Sequence, residues 1–358
     1  MKPPMNPGAA NGSVESPGTV EALLGRPRLR ENVWRIRPDA PASELETLQG
    51  VFEVETARAL GFMRIRSHCT PHNSIDVIAA RSGASRERVI ADLFSLLEPG
   101  VLARPDRHDG TGPAPAQSQV AEVLMGAAGL WGRELSAGLI ANRLCEDVLP
   151  RSLLQGWLLE MYHYVADFPA ALRFAAERAD GELRDVLQGY ADEERGHETF
   201  VLRSLQAIGL SAAEVQGSRP LASTRAVMLT MRALFSVHPA AALLMAHMVE
   251  ASEVPHEDLR RLRREIEDRQ QLPEGALAPI FEHQAIDASL GHQTLLDRHR
   301  HLLPTGPRAL LDGIVGGLHD LKHMFELQTQ EIESYYRELR GQFLPPQPVD
   351  YASLEVGS

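Results

Sequence analysis

Residues 190–202 read YADEERGHETFVL, a run that combines acids, one histidine and apolar positions at helical spacing. Glu194 and His197 are three residues apart, which on a helix separates them by about 60° and lets both reach one metal ion. The alternative is a solvated charged turn. The spacing alone does not decide between half of a metal site and such a turn.

The sequence around this run predicts a large all-helical domain at residues 118–342. Its segments are long, rich in Ala and Leu and periodic near 3.6 residues, with proline and glycine at the breaks. The chain has 358 residues with 44% apolar content, enough for this domain and a smaller one.

The smaller domain is predicted at residues 26–103. Residues 45–64 have apolar positions at helical spacing, which predicts a helix there. Residues 73–103 resemble a helix-turn-helix or winged-helix module. Such modules usually bind DNA, but this one has few basic residues. We therefore favour contact with a protein or peptide, or a structural role. The remaining segments are predicted as a disordered tail (1–25), a Pro/Gly-rich linker (104–117) and a C-terminal tail (343–358).

Composition narrows the cellular setting. With 36 basic and 48 acidic residues the formal net charge is −12, which disfavours nucleic acid as a partner. No apolar run is long enough to predict a membrane span, and the N-terminus does not have the apolar core of a secretory signal. The only cysteines, Cys69 and Cys145, are far apart in the chain. We expect a soluble, cytoplasmic protein.

Two further segments place ionisable side chains among apolar ones. Glu250 ends an apolar helical run in which a buried, unpaired carboxylate would be costly, so it needs a cation or a partner such as His247. His283 and Asp287 are four residues apart, about 40° on a helix, and their apolar neighbours direct both toward the core. Carboxylates and imidazoles from several helices are the donors that a non-haem iron pair requires.

Together these motifs resemble the haem-oxygenase-like diiron oxidases and oxygenases, relatives in fold of thiaminase and pyrroloquinoline-quinone synthase. The resemblance covers about residues 120–342 and implies an all-α haem-oxygenase-like bundle behind the N-terminal module. Its motifs are WLLEMYHYVADFPAAL, DEERGHETFVLRSLQAIGLS, PAAALLMAHMVEAS and FEHQAIDASLGH. The metal ligands that it implies are Glu194, His197, Glu250, His283 and Asp287, with Glu160 as an additional carboxylate. In this interpretation Glu194 and His197 face inward, and Glu193 and Glu198 face outward.

The sequence departs from the family at the last histidine. Three residues after Asp287, where the family has His, this chain has Leu290, and the nearest histidine is His292. On a regular helix His292 would lie about 140° from Asp287, whereas a π-bulge would bring it back to about 40°. We predict that a bulge makes His292 the last ligand. Otherwise the second iron is weakly held, or His163, on the helix of Glu160, compensates.

The resemblance implies an iron-dependent oxidoreductase that uses two Fe(II)/Fe(III) ions and O2 as co-substrate. The implied substrate is a small amine, amino acid or carboxylate, and the implied reaction is N-oxygenation or oxidative C–C or C–H cleavage in the biosynthesis of a specialised metabolite. Whether the enzyme uses an external electron donor and whether it forms a homodimer stay open. The rivals are a metal-free quinone-synthase-like or thiaminase-like enzyme, with Cys145 as nucleophile, and a non-catalytic iron-binding protein.

Overall fold

The computed structural model describes residues 27, 29–70, 72–97, 99–102, 117–138, 140–250, 256–337 and 345–348. It divides into two compact units, Met1–Pro113 and Ala114–Ser358. The predicted N-terminal tail and all but the last residue of the predicted linker lie outside the described residues, as does most of the C-terminal tail. These three assignments stay predictions.

The first unit begins with a small antiparallel sheet. Its strands are β1 (Asn32–Arg35), β2 (Ala42–Thr47) and β3 (Gly50–Glu55), in that order across the sheet. The helix predicted over residues 45–64 is therefore wrong for its first half. Strands β2 and β3 form a hairpin in which Thr47 pairs with Gly50, and Gly50 has a φ of +139° that favours glycine. Over so few residues the apolar spacing suits a strand as well as a helix.

Three helices follow the sheet: α1 (Thr56–Arg66), α2 (Ile75–Ser82) and α3 (Arg86–Phe94). Helices α2 and α3 form the predicted helix-turn-helix. The side chains of Ser74 and Ser85 accept hydrogen bonds from the Val77 and Arg88 amides and so cap the two helices. Gly83 ends α2 in a left-handed conformation, with a φ of +68°.

The regular elements among the described residues of the second unit are all helices, as predicted. Helix α4 spans Gln117–Gly138, α5 Ile140–Glu146, α6 Arg151–Ala176, α7 Gly181–Glu193, α8 Glu198–Ala207, α9 Ala212–Gly217, α10 Ala222–Val237, α11 Ala241–Glu250, α12 His256–Arg269, α13 Ala278–Leu290, α14 Leu295–His299 and α15 Arg308–Arg337. Short 3-10 turns occupy His292–Thr294 and Arg300–Leu302.

Helix α6 is central to the packing of this unit. It contacts α7, α8, α10 and α15, and its buried leucines contribute to both apolar clusters that form the core. At Gly156 it meets α15 so closely that an added Cβ would lie 2.1 Å from the Tyr336 ring. Glycine is required at that crossing, and Tyr336 is fully buried there.

Across the described part of the chain, none of the helices combines the length and the apolar character that spanning a bilayer requires.

Candidate metal centre

Glu194 and His197 lie in a break between two helices. The sequence predicted one continuous helix, but α7 ends at Glu193 and α8 begins at Glu198, with Gly196 between them at a φ of +90°. That value is outside the helical range and requires glycine. The break still brings the two side chains together: His197 Nδ1 is 3.0 Å from Glu194 Oε2, and both residues are buried.

Helix α13 supplies the next two donors. His283 and Asp287 lie one turn apart, with His283 Nε2 3.2 Å from Asp287 Oδ2. The same His283 nitrogen is 2.8 Å from His197 Nδ1. The structure thus brings together the pairs from residues 194–197 and 283–287, as the sequence predicted.

His292 also reaches this cluster, but not through a π-bulge. Helix α13 ends at Leu290, Gly291 takes a left-handed conformation with a φ of +75°, and His292 opens a 3-10 turn. A left-handed residue after a helix redirects the chain without distorting the preceding hydrogen bonds, and Gly291 N still donates to Asp287 O. His292 is only 1% exposed, and its Nδ1 lies 3.2 Å from Glu194 Oε1.

The five residues form two donor groups that share Glu194. One group is Glu194, His197 and His283, and the other is Glu194, Asp287 and His292; in each, one donor atom per residue lies within 4.8 Å of the others. The two Glu194 oxygens face different imidazoles, and Asp287 Oδ1 lies 3.6 Å from His197 Nδ1 and 3.7 Å from His292 Nδ1. A carboxylate shared in this way suits a pair of cations.

The electrostatics of the cluster favour cation binding. Burial alone would raise the pKa of Glu194, but hydrogen bonds with His197 and His292 hold it at about 2. Burial lowers the pKa of His283 to about 4, and burial next to the Glu194 charge raises the pKa of Asp287 to about 6. Near neutral pH both carboxylates are therefore ionised and the His283 ring is neutral, and these are the protonation states that bind a metal ion.

The Oδ1 oxygen of Asp287 is a further observation that favours a bound cation. Among the described residues this buried oxygen has no hydrogen-bond partner. A buried carboxylate oxygen without a donor is costly unless a cation binds it. Carboxylate and imidazole donors in this ratio suit iron, so the residues present fit the metal that the family resemblance implies.

Glu193, predicted to face outward, also contacts this centre. Its Oε2 lies 3.0 Å from His292 Nε2, although the side chain is 43% exposed. If Nε2–H donates to Glu193, the Nδ1 lone pair of His292 points at Glu194 and the centre. Helical periodicity gave no signal for this contact, because it depends on where α7 ends.

Glu160 and His163 are not among the five clustered donors. The Glu160 carboxylate accepts hydrogen bonds from Tyr336 Oη at 2.8 Å and from the Leu221 amide at 3.0 Å, and burial raises its pKa. These two donors bond one to each carboxylate oxygen, and the role of Glu160 as a ligand stays a prediction. His163 Nε2 lies 2.9 Å from Ser218 Oγ. Glu250 ends α11, but its side chain lies outside the described residues, so its role as a ligand stays a prediction.

The buried position of His163 predicts a pH dependence of stability. Burial lowers its folded-state pKa from 6.5 to about 4, so between these values the unfolded chain binds a proton that the folded chain does not. Stability attributable to this residue is complete above pH 6.5 and falls as the pH drops toward 4, by up to about 3 kcal/mol. His163→Gln should reduce this loss, measured as the free energy of unfolding in urea from neutral pH to about pH 5. The exposed His323→Gln is the control; an unchanged pH slope in His163→Gln would refute the assignment.

Cys145 is poorly suited to act as a nucleophile. Burial raises its pKa, and its Sγ donates to the Ala141 carbonyl at 3.9 Å. A catalytic thiol requires a lowered pKa.

A cavity of about 210 Å³ opens within the helical unit. Its wall is mainly apolar, with the aromatic rings of Trp157, Tyr164 and Phe325, and its polar groups include Glu160 and Gln328. None of the five clustered donors lines it. A series of ring contacts joins the two regions: Tyr164 packs on Phe168, Phe168 on Tyr190, and Tyr190 on His292 at a centroid distance of 4.7 Å.

Comparison with known proteins supports the fold and the family. Residues 155–319 match the model of a family described as iron-containing redox enzyme, and that segment contains all five clustered donors. No curated protein matches the sequence.

Several solved structures are similar. A domain of unknown function with a heme oxygenase-like fold from Shewanella denitrificans OS217 aligns with a TM-score of 0.51 and 16% identity, covering 64% of this chain and 97% of its own. A TenA homologue from P. horikoshii OT3 aligns with a TM-score of 0.43 and 16% identity, covering 59% of this chain and 98% of its own. Heme oxygenase-2 from Synechocystis sp. PCC 6803 aligns with a TM-score of 0.42 and 16% identity, covering 67% of this chain and 99% of its own.

The first of these structures establishes the fold, and the family model covers the segment with the site. The predicted resemblance is thereby confirmed. The helical unit of this chain has the haem-oxygenase-like fold and the sequence pattern of the iron-containing redox enzymes.

Proposed function

We propose that the helical unit is a non-haem diiron enzyme that activates O2 and oxidises a small organic substrate. The observation that carries this proposal is the position of Glu194, which presents one oxygen to His197 and the other to His292. A shared carboxylate with imidazoles on either side is the donor pattern of a dinuclear iron centre.

Each clustered residue has a specific role in this proposal. Glu194 would join the two ions; His197 and His283 would bind one of them, and His292 the other. Asp287 Oδ1 lies between the two groups and would complete either. Two iron ions bound there would supply the electrons that reduce O2.

Neighbouring side chains hold the donors and exclude water. The ring of Phe200 stacks on His283 at 5.6 Å between centroids, and Tyr190 packs edge-on against His292. Glu193 fixes the orientation of the His292 ring through Nε2. Burial of Glu194, His197 and His292 strengthens the electrostatic interactions of the Glu194 carboxylate.

The size of the cavity supports a small-molecule substrate. Its volume of about 210 Å³ and its apolar wall suit a short apolar chain, while Gln328 and Glu160 could bind an amine or carboxyl group at its end. A small amine, amino acid or carboxylate fits this description. We extend the proposal to N-oxygenation or oxidative C–C or C–H cleavage in the biosynthesis of a specialised metabolite.

Anaerobic reconstitution with Fe(II), followed by mixing with O2 and a panel of amines, amino acids and carboxylates, tests the proposal. We expect about two iron ions per chain and substrate-dependent O2 consumption with an oxidised organic product. Product formation in iron-free protein would support a metal-free enzyme instead. Iron oxidation without any organic product across the panel would indicate iron storage. His323→Ala, an exposed histidine, is the matched control for the ligand variants.

A further inference from the structure

A second cluster of metal-binding side chains lies outside the proposed iron centre. Glu182 is in the first turn of α7, His299 ends α14, and His301 follows in a 3-10 turn. In the sequence, His299 and His301 lie in a charged run, DRHRHLL at residues 297–303. The fold adds a carboxylate from 119 residues before His301.

The distances between the donor atoms suit a bound cation. His301 Nε2 lies 3.0 Å from Glu182 Oε1, and His299 Nδ1 lies 3.5 Å from the same oxygen. One donor atom from each residue lies within 4.8 Å of the others. In a tetrahedral zinc site with bonds near 2.1 Å the donors are roughly 3.4 Å apart, so little movement is needed.

His299 provides a separate reason to expect a ligand. Its Nδ1 is buried and, among the described residues, has no hydrogen-bond partner, although the whole side chain is 22% exposed. The 3.5 Å to Glu182 exceeds the usual hydrogen-bond length. A buried ring nitrogen that faces a carboxylate oxygen at this distance can place its lone pair on a cation held by that carboxylate.

We infer that Glu182, His299 and His301 form a second metal site, for a divalent transition ion of the zinc class. Two imidazoles and one carboxylate favour such an ion over Mg²⁺ or Ca²⁺, which prefer oxygen donors. Exposure of Glu182 and His301 leaves the fourth position to water. The nearby Arg298 guanidinium is held by the Gly291 carbonyl.

The position of this site suggests what the ion does. Helix α7 has 13 residues, so its ends are about 20 Å apart. Glu182 is at one end, and Glu193, which contacts His292, is at the other. A cation at Glu182 would fasten the segment after His292 to α7, and would therefore hold that histidine in place for the iron centre.

Zinc binding by the full-length protein tests this site. Protein stripped with a chelator is equilibrated with Zn²⁺, dialysed and analysed for metal, in wild type, His301→Ala and the double variant His299→Ala/His301→Ala. We expect each variant to hold one zinc ion fewer per chain than wild type, with zinc at the iron centre retained. His323→Ala is the control, because His323 pairs with Glu326 at 2.8 Å in a similar exposed contact.

Two further measurements separate metal binding from a simple ion pair. Co²⁺ added in place of zinc should give the absorption of tetrahedral cobalt in Glu194→Ala, which lacks the main centre, and should not give it once His301→Ala is added. Zinc should also slow hydrogen exchange over residues 292–303 in wild type alone. Equal zinc content in wild type and the double variant would overturn the proposal.

Discussion

Replacement of Glu194 by alanine should remove both iron ions and reduce iron-dependent O2 consumption to the level of buffer. Its two oxygens lie at 3.0 Å from His197 Nδ1 and 3.2 Å from His292 Nδ1, so neither donor group is complete without it. Loss of this carboxylate also removes the Glu194 oxygen that orients the His197 ring. Metal analysis after anaerobic Fe(II) reconstitution measures the effect.

Asp192→Ala is the matched control for this variant. Asp192 is exposed, lies two residues earlier and pairs with Arg195, so its loss changes the net charge equally without touching the cluster. We expect the control to bind iron as wild type does. Two irons and full activity in Glu194→Ala would contradict the site assignment, provided that circular dichroism shows both variants helical.

Replacement of His292 by alanine should lower the iron content from about two ions per chain to about one. Among the described donors, His292 is the only imidazole of the group that it forms with Glu194 and Asp287, whereas His197 and His283 both belong to the other group. The remaining ion should stay bound, since its donors are intact. Iron analysis and Fe(II) titration measure the change.

The control for His292→Ala is His163→Ala. Both residues are histidines of the helical unit, but His163 contacts Ser218 and not the cluster. We expect it to keep both ions and to differ from wild type mainly in stability. If His163→Ala lost iron and His292→Ala did not, the sequence-based alternative of His163 as the last ligand would be restored.

The sequence predicted the helical unit well because its signal is long. Periodic Ala- and Leu-rich segments extend over 200 residues, and the structure has helices throughout their described part. Residues 45–55 were misassigned because a strand and a helix of this length share similar apolar spacing, and only the hairpin at Gly50 decides between them. Strand pairing depends on partners that spacing does not reveal.

The candidate site could be predicted only in part, for a related reason. Glu194, His197, His283 and Asp287 were recognisable because each pair lies within one turn. His292 was expected to face inward, but the backbone that brings it there is a left-handed Gly291 after a finished helix. Glu193 was missed because its contact with His292 depends on that same turn.

Glu160 shows a different limit of sequence reasoning. An acid in an apolar helix must have a partner, and the sequence cannot distinguish a cation from a hydrogen-bond donor. Its donor in the structure, Tyr336, is 176 residues later in the chain. Gly156, which faces the Tyr336 ring, makes that approach sterically feasible.

The central claim is that Glu194 joins two iron ions, and a crystal structure of the iron-loaded protein with anomalous scattering at the iron edge tests it most directly. We predict two anomalous peaks about 3.5–4 Å apart, one beside each Glu194 oxygen. His197 and His283 should bind the first ion and His292 the second. A single peak, or two peaks of which neither is within bonding distance of Glu194, would contradict the claim.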